Sequence, residues 1–166
     1  MQKSPYTKVI SAGIIVYRWT EKGLAFLLLY RDKGVWDFPR GRMESGERSW
    51  QTALREVEEE TGLKSGDLKI YDNFKVFEKF PYRRKTEGGQ SEPIFKIVIF
   101  YLAETRQSQV VLSKEHEGYG WFVINQAQKM LTRYKSRVRI LRQAYNFIKT
   151  LESGKLENRK KESPVI

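Results

Sequence analysis

Two stretches near the start of the chain are dominated by β-branched and large apolar residues. They cover residues 8–17 and 24–30, and residues 20–23 between them supply turn-forming side chains. This pattern predicts two neighbouring strands joined by a turn. The same composition predicts further strands at residues 68–80, 94–102, 109–112 and 119–124.

Residues 47–61 show the periodicity of a helix rather than of a strand. Four apolar residues fall at i, i+3, i+4 and i+7 and so share one helix face, namely Trp50, Ala53, Leu54 and Val57. Gly62 follows, and glycine commonly ends a helix at this position. We expect Trp50 and the later Trp121 to lie in the core.

Two more helices are predicted at residues 126–131 and 136–151. Strands and helices mix without regular β-α-β alternation, which favours an α/β sandwich with a mixed central sheet. The chain has 166 residues, 40% of them apolar, which suits one compact domain. We place this domain at residues 1–152 and expect residues 153–166 to form a basic, disordered tail.

Charge and composition restrict the function further. The 31 Lys and Arg against 20 Asp and Glu give a net charge of +11, which favours a polyanionic partner. The absence of Cys excludes a disulfide scaffold and a thiol nucleophile. No apolar run is long enough to span a bilayer, and the start of the chain has no apolar signal-peptide core. We therefore expect a cytoplasmic protein without a membrane partner.

One acidic segment stands out in this basic chain, because residues 44–60 contain six Glu and two Arg. Glu56, Glu59 and Glu60 stand at i, i+3 and i+4, so their side chains share one helix face. Like charges at this spacing cost about 0.2–0.5 kcal/mol per pair. Mg²⁺ or Mn²⁺ would offset that cost, since both prefer carboxylate oxygens. The alternative is a solvated acidic face that pairs with Arg48 and Arg55.

The residues around these carboxylates favour the metal site. Gly41 lies six residues before Glu47, and Arg55 lies eight residues after it. From Gly41 to Leu63 the chain matches the pattern G-x5-E-x7-R-E-U-x-E-E-x-G-U, in which U is a bulky aliphatic residue. This segment resembles the Nudix box. The resemblance implies a Nudix-type α/β/α sandwich and the Mg²⁺- or Mn²⁺-dependent hydrolysis of a nucleoside diphosphate linked to another moiety.

The resemblance also implies roles for single residues. The metal ligands would be three carboxylates and one backbone carbonyl: Glu56, Glu59, Glu60 and the carbonyl of Arg40 or Gly41. Glu59 or Glu60 would also lie near the attacking water. Arg55 and Glu47 would form an ion pair that orients the helix and the loop behind the ligands.

Two strings resemble the asymmetric diadenosine tetraphosphate hydrolases: residues 26–47, which run into the start of the box, and residues 112–122 beyond it. This resemblance implies cleavage of diadenosine tetraphosphate to ATP and AMP by attack of water on phosphorus. It implies that Glu115, in the sequence Ser113-Lys114-Glu115-His116, is a fourth catalytic carboxylate across the cleft from the box helix. His116 would orient this loop or contact the substrate. The alternative for Glu115 is an exposed loop residue.

Substrate binding is predicted for one tyrosine and several basic side chains. Tyr82 opens a basic loop at residues 82–85, and an aromatic ring that stacks on a base contributes about 1–3 kcal/mol. Arginines supply bidentate phosphate contacts. The basic residues that would line the same channel are Arg31, Arg40, Arg42, Arg83 and Lys85. For each of them the alternative is an ordinary surface charge.

Two other functions stay open. The sequence Trp36-Asp37-Phe38-Pro39 is also similar to the W-x-F-P of bacterial RNA pyrophosphohydrolases, and the basic C-terminal helix would suit an RNA backbone. An enzyme that acts on the 5′ end of 5′-triphosphate RNA is therefore the alternative. A non-catalytic polyphosphate- or RNA-binding module is a third possibility, but such a module has no need of the three box carboxylates. A monomer is expected.

Overall fold

The structure, a computed structural model, describes the backbone of residues 5–162 and the side chains of residues 5–155. In this part of the chain a mixed sheet of eight strands is flanked by helices. The strands are β1 (Thr7–Thr20), β2 (Gly23–Arg31), β3 (Val35–Asp37), β4 (Arg40–Arg42), β5 (Leu68–Ile70), β6 (Val76–Lys85), β7 (Ser91–Thr105) and β8 (Gly118–Val123). The helices are α1 (Ser49–Thr61), α2 (Ile124–Met130) and α3 (Lys135–Glu162), and a short 3₁₀ turn covers Ser65–Asp67.

The long strand β1 organises the sheet. It pairs in parallel with β7, from Thr7 opposite Ile94 to Tyr17 opposite Glu104. Its other edge is shared, because β4 pairs with residues 11–13 and β2 pairs with residues 17–20. The two strands β2 and β4 therefore pair with different stretches of the same edge of β1.

Side chains alternate across β1 and supply two cores. Ile14 and Val16 pack with Ala53 and Val57 of α1 on one face. Ile15 and Tyr17 pack on the other face with α3, which contributes Ile140, Leu141, Ala144 and Ile148. Each fully buried aliphatic side chain contributes about 1.5–3 kcal/mol. The α/β sandwich with a mixed sheet is thus confirmed, and none of the described helices is long and apolar enough to cross a membrane.

Several predicted elements differ from the structure. The strand predicted at residues 68–80 is two strands, because the Tyr71 carbonyl accepts the Phe74 N–H at 3.1 Å and closes a turn between β5 and β6. The predicted basic loop at residues 82–85 lies on β6, in a hairpin with β7. The predicted strand at residues 109–112 is a loop. Trp50 is 48% exposed rather than buried, because it lies in the first turn of α1.

The C-terminal segment also differs from the expectation. The predicted disordered tail begins at residue 153, whereas α3 continues to Glu162. Local contacts support this extension, since the Ser153 hydroxyl donates to the Lys149 carbonyl at 3.0 Å and Lys155 Nζ lies 2.8 Å from Glu152 Oε1. The end of the domain at residue 152 stays a prediction, and residues 163–166 lie outside the described part of the chain.

Candidate active site

Arg55 joins helix α1 to the loop before it. Its Nε and Nη2 donate to the two carboxylate oxygens of Glu47 at 2.7 and 3.1 Å, so the expected ion pair is present and bidentate. Its Nη1 donates to Glu56 at 2.9 Å and to Glu59 at 3.1 Å. Nη2 also donates to the Arg42 carbonyl at 3.1 Å. One guanidinium therefore ties β4, the loop and two box carboxylates together.

Glu47 is held in its charged form. Besides Arg55, its Oε2 accepts the Glu44 N–H at 3.0 Å and the Thr52 hydroxyl at 2.7 Å. The hydrogen bonds, led by those from Arg55, lower the pKa of Glu47 to about 2. Glu47 is thus ionised throughout the neutral range, as a structural partner of Arg55 must be.

The glycine of the box is required by a close approach. Gly41 lies on β4 opposite Ala12 of β1. A Cβ at Gly41 would lie only 1.8–2.0 Å from the carboxylate atoms of Glu56, so any side chain here would displace that carboxylate. At the other end of α1, Gly62 has φ 71° and donates its N–H to the Glu58 carbonyl at 2.9 Å. The predicted helix end is therefore confirmed.

Glu60 is the most enclosed of the three carboxylates, with 5% exposure. Its Oε2 accepts the Arg40 N–H at 2.9 Å, and its Oε1 lies 3.6 Å from His116 Nε2 and 3.9 Å from Arg31 Nη2. Burial raises the pKa of Glu60 to about 8, although the Arg40 hydrogen bond opposes this shift. A cation close to Glu60 would stabilise the ionised form.

The loop after β7 docks on the end of α1. The Val111 N–H donates to the Thr61 carbonyl at 2.9 Å, and the Ser113 N–H donates to the Glu60 carbonyl at 3.3 Å. These bonds satisfy carbonyls that the helix end leaves without partners. The loop consequently lies beside Glu60, although its residues are distant from Glu60 in sequence.

This loop carries two predicted site residues. His116 is buried with its Nδ1 3.2 Å from the Ser113 hydroxyl. Burial, and then the charge of Arg31, lowers the pKa of His116, so the imidazole is neutral at neutral pH. Glu115 is exposed in the same turn, and its charge contributes to the raised pKa of Glu56. Glu115 therefore lies within electrostatic range of the box helix.

Glu60 and His116 border a cleft of about 210 Å³. Its walls combine acidic, basic and aromatic side chains. They are formed by Leu29, Arg31, Val35, Asp37, Phe38, Arg40, Glu60, His116 and Tyr134. Carboxylate and cationic groups thus meet in one recess, which suits a ligand with several phosphate groups.

Asp37 and Arg137 were not anticipated from the sequence. Asp37 accepts from Arg40 Nε at 2.8 Å and from Arg137 Nε at 2.7 Å. Burial would raise the pKa of Asp37, but the two guanidinium groups outweigh it and lower the pKa. Arg137, which is 3% exposed, also contacts Glu78. Its position on the apolar stripe of α3, three residues before Ile140, is the signal that marks it as buried.

The predicted substrate-binding residues do not all converge. Tyr82 lies on β6, where successive side chains point to opposite faces, so Arg83 and Lys85 lie on the face away from it. The Arg83 guanidinium is held by Ser91, at 2.8 Å from Oγ and 3.0 Å from the carbonyl oxygen. Arg42 is exposed on β4. Of the predicted basic residues, only Arg31 and Arg40 line the cleft.

Lys96 is a further basic residue that sequence reasoning missed. It is partly buried on β7, opposite Phe80 of β6. Burial, together with the nearby charges of Arg40 and Arg137, lowers the pKa of Lys96. An anionic ligand bound near Arg40 would also meet this lysine.

The predicted metal ligands are not drawn into one cluster. Within the described residues, no three acidic or histidine side chains are arranged to hold a metal ion. Arg55 holds Glu56 and Glu59, and Glu59 is more than half exposed. The donor chemistry nevertheless fits a hard cation, because Glu56 and Glu60 offer carboxylate oxygens whose ionised forms are disfavoured by burial and would be stabilised by such an ion. For Arg40 the structure shows the N–H, not the carbonyl, against Glu60.

Comparison with known proteins agrees with this geometry. A family model described as the NUDIX domain matches residues 7–144. The chain is 31% identical over 148 residues to the asymmetrical bis(5′-nucleosyl)-tetraphosphatase of Sus scrofa, covering 83% of this chain and 94% of that protein. The crystal structure of a C. elegans Ap4A hydrolase binary complex superposes with a TM-score of 0.73 at 28% identity, covering 86% of this chain and 98% of that chain.

A second kind of relative is more distant. The RNA pyrophosphohydrolase of Legionella pneumophila (strain Corby) is 27% identical over 114 residues, which covers 64% of this chain and 65% of that protein.

An α/β/α sandwich that presents box carboxylates beside arginine side chains in one cleft defines a class of phosphoanhydride hydrolases. The chain belongs to the Nudix family, whose members generally use divalent metal ions, and it is a homologue of the asymmetric Ap4A hydrolases.

Proposed function

We propose that this protein hydrolyses diadenosine tetraphosphate to ATP and AMP with the help of a divalent cation. The observation that carries the proposal is the position of Glu60 in one cleft with Arg31 and Arg40. Metal-assisted phosphoanhydride cleavage needs carboxylates and phosphate-binding cations in the same place. The 31% identity to the pig tetraphosphatase supports the dinucleotide as substrate.

Glu56, Glu59 and Glu60 are the residues that would hold Mg²⁺ or Mn²⁺, together with the Arg40 carbonyl. When bound, such an ion neutralises phosphate charge and makes water a stronger acid. Arg55 and Glu47 position these carboxylates through the bidentate pair. The hydrogen bonds from Arg55 to Glu56 and Glu59 would have to yield for both carboxylates to face one ion.

We assign Glu115, with Glu59 or Glu60, to accepting the proton of the attacking water. The water oxygen forms a bond to phosphorus while the bridging P–O bond breaks, so that ATP and AMP separate. Glu115 suits this task because it is exposed in the loop that docks on Glu60. Buried and neutral, His116 supports the loop and contacts the substrate rather than acting as the main base.

Arg31 and Arg40 would bind phosphate oxygens at the cleft. Tyr82 would stack on an adenine, with its ring 6.2 Å from that of Phe80. Arg42, Arg83 and Lys85 are exposed and do not line the cleft, so they would contact only parts of the substrate that extend beyond it.

The test is a substrate panel with product identification. Diadenosine tetraphosphate, nucleoside triphosphates, inositol pyrophosphates and 5′-triphosphate RNA are compared by kcat/KM in Mg²⁺ and in Mn²⁺. We expect the dinucleotide to give the highest value, with equal amounts of ATP and AMP and no turnover in EDTA. Two molecules of ADP, or a clear preference for another substrate, would contradict the proposal. Hydrolysis in ¹⁸O-labelled water identifies the phosphorus that is attacked.

The second candidate is removal of pyrophosphate from 5′-triphosphate RNA. It is favoured by the Legionella relative and by the W-x-F-P string at Trp36–Pro39, of which Phe38 lines the cleft. The same panel distinguishes it, because pyrophosphate release from RNA would then exceed dinucleotide cleavage.

We extend the main proposal to a monomer that works in the cytoplasm on small nucleotides. Light scattering of the purified chain and imaging of a tagged chain in cells test these two points.

A further inference from the structure

One face of α3 carries a row of exposed basic side chains. Lys135, Arg139, Arg142 and Lys149 stand at i, i+4, i+7 and i+14, so they lie along one line of the helix. We name these four residues the basic stripe. The opposite face of the helix carries Ile140, Leu141 and Ala144 and is buried against the sheet. The basic stripe therefore faces solvent over about 21 Å of helix.

The described side chains do not neutralise the basic stripe. Among the side chains of residues 5–155, none forms an ion pair with Lys135, Arg139, Arg142 or Lys149. The one acidic residue between positions 125 and 152 is Glu152, which pairs with Lys155. Like charges at i and i+4 disfavour a helix by about 0.2–0.5 kcal/mol, and an anionic ligand would remove this repulsion.

The basic stripe begins one residue after a side chain that lines the cleft. Tyr134 lines the cleft and is exposed, and Lys135 is the next residue along the chain. Arg133 fixes this turn, because its Nη1 donates to the Lys33 carbonyl at 3.2 Å in the β2–β3 connection. A second recess, of about 460 Å³, lies along α3 and is lined by residues from Thr132 to Asn146. Its walls include Lys135, Arg139 and Arg142 of the basic stripe.

We propose that the basic stripe binds the sugar–phosphate chain of a single-stranded RNA whose 5′ phosphates enter the cleft. This inference rests on the proposed function only in that the cleft binds a polyphosphate. A ligand that reaches from the cleft along α3 must carry phosphates at its end and a polyanionic chain beyond them. A dinucleoside polyphosphate ends in a nucleoside and offers no such chain, whereas a 5′-phosphorylated RNA offers both.

The surroundings of the basic stripe fit RNA better than a lipid surface. Gln143 and Asn146 border the recess and supply amide groups for sugar and base edges. Tyr134 stands exposed at the junction and offers a ring on which the first base can stack. A membrane-binding helix face needs large apolar residues beside its basic ones. In this recess Val138 is the apolar side chain, and it is partly buried against the core.

Binding is measured by fluorescence anisotropy with an RNA of about 12 nucleotides that is labelled at its 3′ end, in EDTA to prevent turnover. The double variant Arg139→Gln/Arg142→Gln removes two charges of the basic stripe, and Lys22→Gln/Lys64→Gln removes two exposed charges elsewhere. We expect the stripe variant to weaken binding about tenfold and to reduce the salt slope by about 1.4, since each phosphate contact contributes about 0.7 for single strands. The control variant should bind like the wild type.

The position of the RNA 5′ end is tested with two single-stranded RNAs of the same sequence that differ only at that end. In Mg²⁺, RNA with a 5′ triphosphate whose bridging oxygens are replaced by methylene groups should bind more tightly than the same RNA with a 5′ hydroxyl, and equal affinities would overturn the placement of the 5′ end in the cleft. Equal losses in the stripe and control variants would overturn the role of the basic stripe. So would stripe-dependent binding to vesicles of phosphatidylserine and phosphatidylcholine with no binding to RNA.

The two proposals fail separately. The stripe variant should cleave diadenosine tetraphosphate at the wild-type rate, because none of its changes touches the cleft. If wild-type protein releases no ATP and AMP but binds RNA through the basic stripe, the proposed function is wrong and this inference stands. If it cleaves the dinucleotide and does not bind RNA, the reverse holds.

Discussion

Arg40 donates its backbone N–H to Glu60 Oε2 over 2.9 Å, across a separation of 20 residues in sequence. The bond joins β4 to the last turn of α1 and fixes a buried carboxylate in the cleft. A backbone donor moves only when its strand moves, so the position of Glu60 depends on how closely β4 approaches the helix. That approach is set by Gly41, the residue next to Arg40.

Gly41→Ala should therefore disturb the site. The new Cβ would overlap the Glu56 carboxylate, and overpacking of this kind costs about 1–3 kcal/mol of unfolding free energy. We expect turnover to fall by about 10²-fold, as a displacement near 1 Å can produce. Steady-state kinetics and urea unfolding measure both effects. Gly88→Ala is the control, because nothing lies within 4 Å of a Cβ there, and a similar loss in that variant would contradict the explanation.

The box itself was predictable because its geometry is local. Periodicity places the three Glu of the box on one helix face, and Gly62 ends the helix as expected. Asp37 and Arg137 are 100 residues apart in sequence, so no local pattern links them. The hairpin register is likewise a tertiary property: it places Tyr82 opposite Ile94 on a strand rather than in a loop. The docking of residues 111–116 on α1 also depends on distant backbone groups.

Glu56→Gln and Glu60→Gln should each lower the cation-dependent turnover by at least about 10²-fold. Their folds should persist, because burial already disfavours the ionised forms of both side chains and an amide removes that cost. Glu58→Gln on the exposed face of α1 is the matched control. Rates are measured across Mn²⁺ concentrations, with thermal unfolding as the check on folding. Near wild-type turnover in either variant would remove that residue from the site.

Arg137→Met should unfold the protein more easily. The substitution leaves Asp37 and Glu78 without their shared guanidinium, and breaking a buried ion pair in this way costs about 3–5 kcal/mol. Arg139→Met on the exposed face of α3 should stay within about 0.5 kcal/mol of the wild type. Urea unfolding at neutral pH compares the three proteins. Equal stabilities would show that the pair contributes nothing to folding.

The ion pair of Glu47 should make the free energy of unfolding sensitive to acid. Hydrogen bonds from Arg55 lower its pKa from 4.5 to about 2 on folding, so the folded state holds fewer protons in this range. The resulting stabilisation is fully present above pH 4.5 and is lost as the pH falls toward 2. The stability advantage of the wild type over Glu47→Gln should therefore shrink across this interval. Urea unfolding at several pH values tests this, with Glu21→Gln as an exposed control. A constant difference between wild type and Glu47→Gln would contradict the assignment.

Tyr82→Ala separates substrate binding from folding. If its ring stacks on adenine, removing about 1–3 kcal/mol of stacking should raise the KM for diadenosine tetraphosphate by about 5- to 150-fold. The side chain is partly exposed on β6, so the unfolding free energy should change little. Phe77→Ala removes an exposed ring from the opposite face of the same strand and should leave KM unchanged. An unchanged KM in Tyr82→Ala would remove Tyr82 from the site, and the base would then have to stack elsewhere, with Tyr134 in the cleft wall as the next ring to test.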